Sequence, residues 1–223
     1  IYIDGAVNND VFGLASNGQN GGQTGIAPFS IDVIDQIQVV ISPYDVSYGG
    51  FTGGGINAVS KSGTNDLEGT AYYFIQNDEL AGKTNTSLIN RLREDNPAAQ
   101  AEALSVFNKK LYGASLGGAF IKNKLFFFAN AEIQRDENPF PFAGDYVGNS
   151  TEEELETLQE FLLDEYSYDA GNFGDKTGKL DGTKLFGKLD YTINDNHNIS
   201  LRHSYTKAEQ LRVNGSGARN INF

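Results

Sequence analysis

Cysteine is absent from the 223 residues, which excludes disulfides and thiolate metal sites. No run of about 18 apolar residues occurs, so no membrane-spanning helix is expected. A low mean hydropathy of −0.39 is still compatible with a barrel, whose strands alternate lipid-facing and lumen-facing residues. Basic residues are outnumbered, 17 against 29 acidic, for a net charge of −12. That balance argues against nucleic acid as a partner. Histidine is limited to His197 and His203, with no HExxH pattern beside them, so no zinc site is expected. No Ser-His-Asp order stands out, and Asn214-Gly215-Ser216-Gly217 is only superficially like a nucleophile elbow. Neither catalysis nor a cofactor is expected. No secretory leader opens the chain, since Ile1-Tyr2-Ile3-Asp4-Gly5 starts inside a strand-turn unit. The expectation is an internal piece of a longer protein rather than a cytosolic one.

What is present points to strands. The chain carries 26 Gly, 11 Tyr and 15 Phe, with 39% hydrophobic residues, a composition of short strands and turns. Charge is unevenly spread. Between Asp136 and Asp181 there are 13 acidic and two basic residues, so nearly the whole excess sits in one block, as expected of a solvated loop. Asp169, Asp175 and Asp181 lie there among glycines, the kind of oxygen-rich setting that calcium favours. The spacing does not meet that of an EF-hand, and a solvated acidic face is the expected reading.

Along residues 1–66, Ser30 to Gln36 suggests a helical turn with Ser30 as N-cap. Strands are expected over Ile37–Ser42 and Gly55–Lys61. From residue 67 the pattern has period two, with strands expected at 67–77, 109–120, 125–135, 183–193 and 199–208. Leu67, Ala71, Tyr73 and Ile75 share one face of the first; Glu68, Thr70, Tyr72, Phe74 and Gln76 share the other. In the third, Leu125, Phe127, Ala129, Ala131 and Ile133 oppose Asn130, Glu132 and Gln134. In the fourth, Leu185, Leu189, Tyr191 and Ile193 oppose Lys184, Lys188, Asp190 and Thr192. In the fifth, Ile199, Leu201 and Tyr205 oppose Ser200, Arg202, Ser204 and Thr206. Tyr72, Phe74, Phe126 and Phe128 fall on the inward faces, where packing is expected. Tyr73, Tyr112, Phe127, Tyr191 and Tyr205 fall outward, as residues of interfacial aromatic girdles would.

The connections alternate in length. Residues 78–108 and 136–182 are long; Ile121–Lys124 and Asn194–Asn198 are short. Outer-membrane barrels have long extracellular loops and short periplasmic turns. The first long connection could hold short helices, one starting at Pro97. The second should hold a helix from Thr151 to about Tyr166, with Ser150 as N-cap and Leu155, Leu158, Phe161 and Leu162 on one stripe.

The cluster Gly49-Gly50-Phe51-Thr52-Gly53-Gly54-Gly55 is followed by a strand, not a helix, and Lys61-Ser62-Gly63 comes in the wrong order for a phosphate loop. Close backbone packing is the expected role. Tyr48-Gly49-Gly50, Gly53-Gly54-Gly55-Ile56-Asn57 and Lys61-Ser62-Gly63-Thr64-Asn65 carry a resemblance to TonB-dependent outer-membrane receptors, most specifically over residues 37–77. Within these the chain resembles the Oar-like group, which commonly carries a carboxypeptidase-regulatory-like N-terminal domain.

The resemblance implies a mainly β chain. Residues 1–66 would be the C-terminal part of a plug domain. Residues 67–223 would be about five antiparallel strands of a 22-stranded transmembrane β-barrel, with the amphipathic helix in an extracellular loop. It further implies TonB and its inner-membrane motor as partners, outer-membrane lipid around the strands, and transport of a large substrate (peptide, protein or glycan). No TonB box is recognisable, and five strands cannot close a barrel; Phe223 is read as a truncation point, not a barrel's terminal aromatic. Two alternatives are a SusC-like glycan importer beneath a surface lipoprotein, whose plug end usually carries Arg, and a soluble β-rich surface binding module.

Overall fold

The computed structural model describes residues 1–10, 12–15, 18–19, 22–41, 54–83, 90, 106–140, 150–171 and 176–213. Most of the glycine cluster, the region around Pro97, Asp175, the Asn214–Gly217 stretch and Phe223 lie outside them.

A four-stranded sheet runs β2-β1-β4-β3, with β1 at Tyr2–Ile3, β2 at Ala6–Val7, β3 at Ile34–Ile41 and β4 at Gly54–Ser60. Asp4 and Gly5 turn β1 into β2 with φ of 44° and 80°, the left-handed pair a two-residue hairpin needs. β1 pairs parallel with β4, Tyr2 opposite Asn57, and β3 pairs antiparallel with β4 from Ile34–Ser60 to Ile41–Gly54. The helical turn expected over Ser30–Gln36 is shorter, Ile31–Val33, and the Ser30 side chain accepts from the Asp32 N–H as its cap. The strand therefore starts three residues earlier than expected. The ladder to β4 captures Ile34–Gln36, which a purely local reading gives to the turn.

A second sheet keeps chain order: β5 (Glu68–Asn77), β6 (Asn108–Ile121), β7 (Leu125–Phe140), β8 (Lys176–Asn194) and β9 (His197–Leu211). A tight turn at residues 122–124 joins β6 to β7, with Asn123 at φ 60°. Asp195-Asn196 joins β8 to β9, so His197 opens a strand rather than lying in the turn. β7 and β8 outrun their expected lengths and shorten the connection between them. The added residues carry only isolated apolar side chains, Phe140 and Leu180, so no hydropathy alternation marks them; the backbone ladder extends through them, with an exposed Lys179–Glu137 ion pair of 3.2 Å across it.

By contacts the chain divides into two compact units. The first comprises Ile1–Phe74, Lys110–Gln134 and Asp181–Glu209, and so contains the small sheet and one end of each strand β5–β9. Its strand faces separate largely as the alternation predicts, although Phe74, expected to pack on the inward side, is 62% exposed. Ser115, Phe128, Asn130, Glu132, Lys184 and Phe186 are buried on one side. Tyr73, Tyr112, Leu116, Phe120, Leu185, Leu189, Tyr191, Leu201 and Tyr205 are exposed on the other. Phe186, which the sequence reading passes over, joins Val33 and Phe128 in a buried apolar cluster. On the outward face Tyr73 packs on Tyr112 at 6.1 Å between ring centroids, and Phe120 stacks on Phe127 at 4.4 Å. Tyr112 and Phe120 are eight residues apart on β6, about 27 Å along a strand and roughly 20 Å in height at a barrel tilt of about 40°. That is on the order of the outward apolar band of such barrels.

The second unit comprises Ile75–Lys109, Arg135–Leu180 and Gln210–Phe223. Asn77 caps a helical turn, Asp78–Ala81, by accepting from the Leu80 N–H. The expected long helix spans Glu152–Tyr166, but its N-cap is Thr151, not Ser150. The Thr151 hydroxyl accepts from the Glu154 N–H while the Glu154 carboxylate accepts from the Thr151 N–H, a capping box. Ser150 with Glu153 offers the same spacing, so sequence alone does not choose between them. Of the expected stripe, Leu155 is buried, whereas Leu158 and Phe161 are exposed.

Candidate functional site

Within the first unit, the small sheet and its flanking turns meet the inward faces of β5–β9 through a polar seam. Glu132, at the middle of β7, is its centre. Its side chain is 3% exposed and pairs at 2.8 Å with Lys184 Nζ of β8, itself 8% exposed. The other carboxylate oxygen accepts from Ser30 Oγ at 2.6 Å and Tyr72 OH of β5 at 2.5 Å. A buried charge pair costs desolvation unless its remaining lone pairs are also satisfied; Ser30 and Tyr72 supply those bonds. Gly113 on β6 makes room for the Tyr72 hydroxyl, which a Cβ at that position would strike.

Two residues beyond Ser30, Asp32 extends the seam. It pairs with Lys61 at 3.1 Å and accepts from Thr70 Oγ1 of β5 at 3.0 Å and Asn130 Nδ2 of β7 at 3.3 Å. Burial alone would push the Asp32 carboxyl up, but the bonds from Ser115, Lys61 and Thr70 hold it below its ordinary 3.8.

A second cluster lies at Asp4, in the β1–β2 turn. Its carboxylate accepts from the Ser60 N–H at 2.7 Å, the Ser60 hydroxyl at 2.6 Å and Arg202 Nη1 of β9 at 2.9 Å. Arg202 also donates to the Ile3 carbonyl at 2.7 Å, and Lys188 Nζ to the Ser60 carbonyl at 3.2 Å. Burial again works upward on the Asp4 carboxyl, and Ser60, Lys188 and Arg202 outweigh it, so the group titrates below its ordinary 3.8.

The segment leading from β4 into β5 is fixed separately. Ser62 donates to Asp190 of β8. Asn65 and Asn123 exchange two bonds, Nδ2 to Oδ1 at 2.6 Å and the Asn123 N–H to Asn65 Oδ1 at 2.8 Å. Gly63 passes so close to the backbone of Gly118 and Phe127 that a Cβ there would overlap their carbonyl oxygens. A cleft of about 260 Å³ is lined by Lys61, Ser62, Thr64, Glu68, Thr70 and Ser115.

The seam's chemistry is attachment. Ser30 is 1% exposed, so its hydroxyl cannot meet a substrate even though a carboxylate stands beside it. Among the described residues, no group of His, Cys, Asp or Glu is placed to hold a metal ion. Among them too, no helix is long and apolar enough to cross a membrane, which says nothing of spanning by strands. Sequence reading put Thr70, Tyr72, Glu132, Lys184 and Arg202 on inward faces without bringing them together. The available signal was opposite charge at mid-strand on the inward faces of neighbours, Glu132 and Lys184. Ser30 appeared there only as a cap, and Asp32 and Asp4 only as turn residues.

An open sheet with an apolar outward face, aromatic bands and a second sheet bonded to its inward face defines the class: an outer-membrane β-barrel segment. A family model described as an outer membrane beta barrel domain matches residues 59–147. The TonB-dependent transporter Oar of Myxococcus xanthus is 25% identical over 214 residues, covering 86% of this chain and 19% of that protein. The chain thus spans about a fifth of the length of this curated relative. With the fold, these likenesses show an outer-membrane β-barrel segment similar to TonB-dependent receptors of the Oar-like kind, and its place is the bacterial outer membrane.

Proposed function

We propose that residues 1–66 are the last part of a plug and residues 67–223 the first strands and loops of a barrel. Together they serve a transporter that moves a large substrate (peptide, protein or glycan) across the outer membrane under the pull of TonB and its inner-membrane motor. The observation that carries this reading is the makeup of the seam. Among the described residues the small sheet and its flanking turns are held mainly by hydrogen bonds and ion pairs, with a small apolar cluster of Val33, Phe128 and Phe186 and with Ile26 packed beside Gly182. Bonds of that kind exchange for bonds to water at a net cost of about 1 kcal/mol each, so a sheet attached by them can be pulled free and can return. The small likeness that supports TonB coupling is that to Oar, whose own name states it.

The exposed outward apolar face argues against a soluble surface module, which would shield such a patch from water. The reading is of a carrier rather than an enzyme, in keeping with the likeness to a transporter. Deleting the gene should abolish uptake or export of the substrate, and restoring it should rescue transport only where TonB is functional. Rescue of equal size without TonB would remove the reading.

A further inference from the structure

We infer that the helix Glu152–Tyr166 is a docking surface for a cationic amphipathic peptide segment. The inference names a substrate class for the transport reading above and rests on that reading; docking itself can be measured without transport.

Two features coincide on this helix. It contains seven acidic residues and no basic one, and Asp164 and Glu165 stand in its last turn, where the helix dipole disfavours negative charge. A cationic partner relieves both the mutual repulsion and the clash with the dipole. Apolar side chains are also left uncovered. Gln159 donates to the Gly171 carbonyl and the Tyr168 N–H to the Leu162 carbonyl, so the returning chain takes the side of Leu155, Gln159 and Leu162. Leu158 and Phe161 stay outside at 43% and 50% exposure. At spacings of four, three and four residues, Glu154, Leu158, Phe161 and Glu165 form one ridge, apolar in the middle and acidic at both ends. Tyr166 stands against Phe161, ring centroids 5.8 Å apart and near perpendicular, which adds an aromatic face for a lysine or arginine. The matching ligand has two apolar residues on one stripe with basic residues at its ends. An anionic lipid surface suits the apolar ridge but is repelled by its charge.

The test uses the full-length receptor in lipid nanodiscs. The probe is a dye-labelled helical peptide of lysine and leucine with its leucines on one stripe, compared with a scrambled isomer of identical composition. Fluorescence anisotropy should show the striped peptide binding about tenfold more tightly than the scrambled one. Leu158→Ala with Phe161→Ala should erase that difference. Leu163→Ala, equally exposed but on another side of the helix, should preserve it. Equal binding of the two isomers, or a difference that survives loss of Leu158 and Phe161, overturns the inference. So does capture of anionic vesicles, or of a second receptor, through the same residues. Docking found in a receptor that transports without TonB would keep this inference and remove only the earlier one.

Discussion

Glu132 has three donors, on a neighbouring strand, on the first strand of the large sheet and on the turn before β3. Removing Lys184 leaves a buried carboxylate without its counter-charge, and Lys184→Met should destabilise the folded receptor by about 3–5 kcal/mol. The double replacement Lys184→Met with Glu132→Leu should recover much of that loss, because two removed charges need no hydration. Thermal unfolding in detergent, read as the midpoint of the shift between folded and unfolded bands on a gel, compares the two. Asp4 and Asp32 give the seam a pH dependence. Both titrate below 3.8 in the folded chain, so their stabilisation is complete above the unfolded value and is lost as pH falls through the folded one. Hydrogen exchange of residues 1–61, corrected for intrinsic rate, should be flat from about pH 5 to 8 and quicken below about pH 4. An onset near neutral pH would mean that other groups govern attachment.

At the scale of elements, the strand pattern was legible because a half-buried strand must alternate, and from residue 67 each strand does. What was not legible was where strands stop. Residues 136–140 and 176–182 carry no apolar alternation, yet they are strand, because backbone bonding to a neighbour does not depend on side-chain hydropathy. The helix start shows another limit: Ser150 and Thr151 each precede an acidic residue at the capping-box spacing, and geometry chose Thr151. Thr151→Ala should therefore cost about 1 kcal/mol of helix stability, and Ser150→Ala should stay within about 0.5 kcal/mol. Protection of the Glu154 and Leu155 amides from exchange distinguishes the two. The apolar stripe was read correctly as amphipathic but not as divided, since the chain returning through Gly171 covers only one side of it.

For the molecule as a whole, the attachments of the small sheet fall into two sorts. Asp4 with Arg202, and Ser30 and Asp32 with β5 and β7, hold the sheet itself. Ser62 with Asp190, Asn65 with Asn123, and the tight fit at Gly63 hold the segment that leads out of it. If the sheet leaves the wall during transport while this segment stays, the two sorts respond differently to tethering. Cysteines replacing Asp4 and Arg202, joined by a short reducible bis-thiol crosslinker, should stop uptake until reductant is added. The same crosslink between cysteines replacing Asn65 and Asn123 should leave uptake within about twofold of the untethered level. Uptake unaffected by either tether would place the moving part elsewhere.

By itself the sequence determined the class: a period of two sorts side chains between lipid and interior, because that alternation is a local consequence of the chain crossing an apolar layer. It also excluded disulfides and thiolate ligation, since cysteine is absent. Only the tertiary structure decided which inward side chains meet. Ser30 and Glu132 are 102 positions apart, and Asp4 and Arg202 are 198 apart. No periodicity carries that far; such pairs are fixed by how one sheet lies in the curve of another and by the cost of leaving a buried charge unanswered.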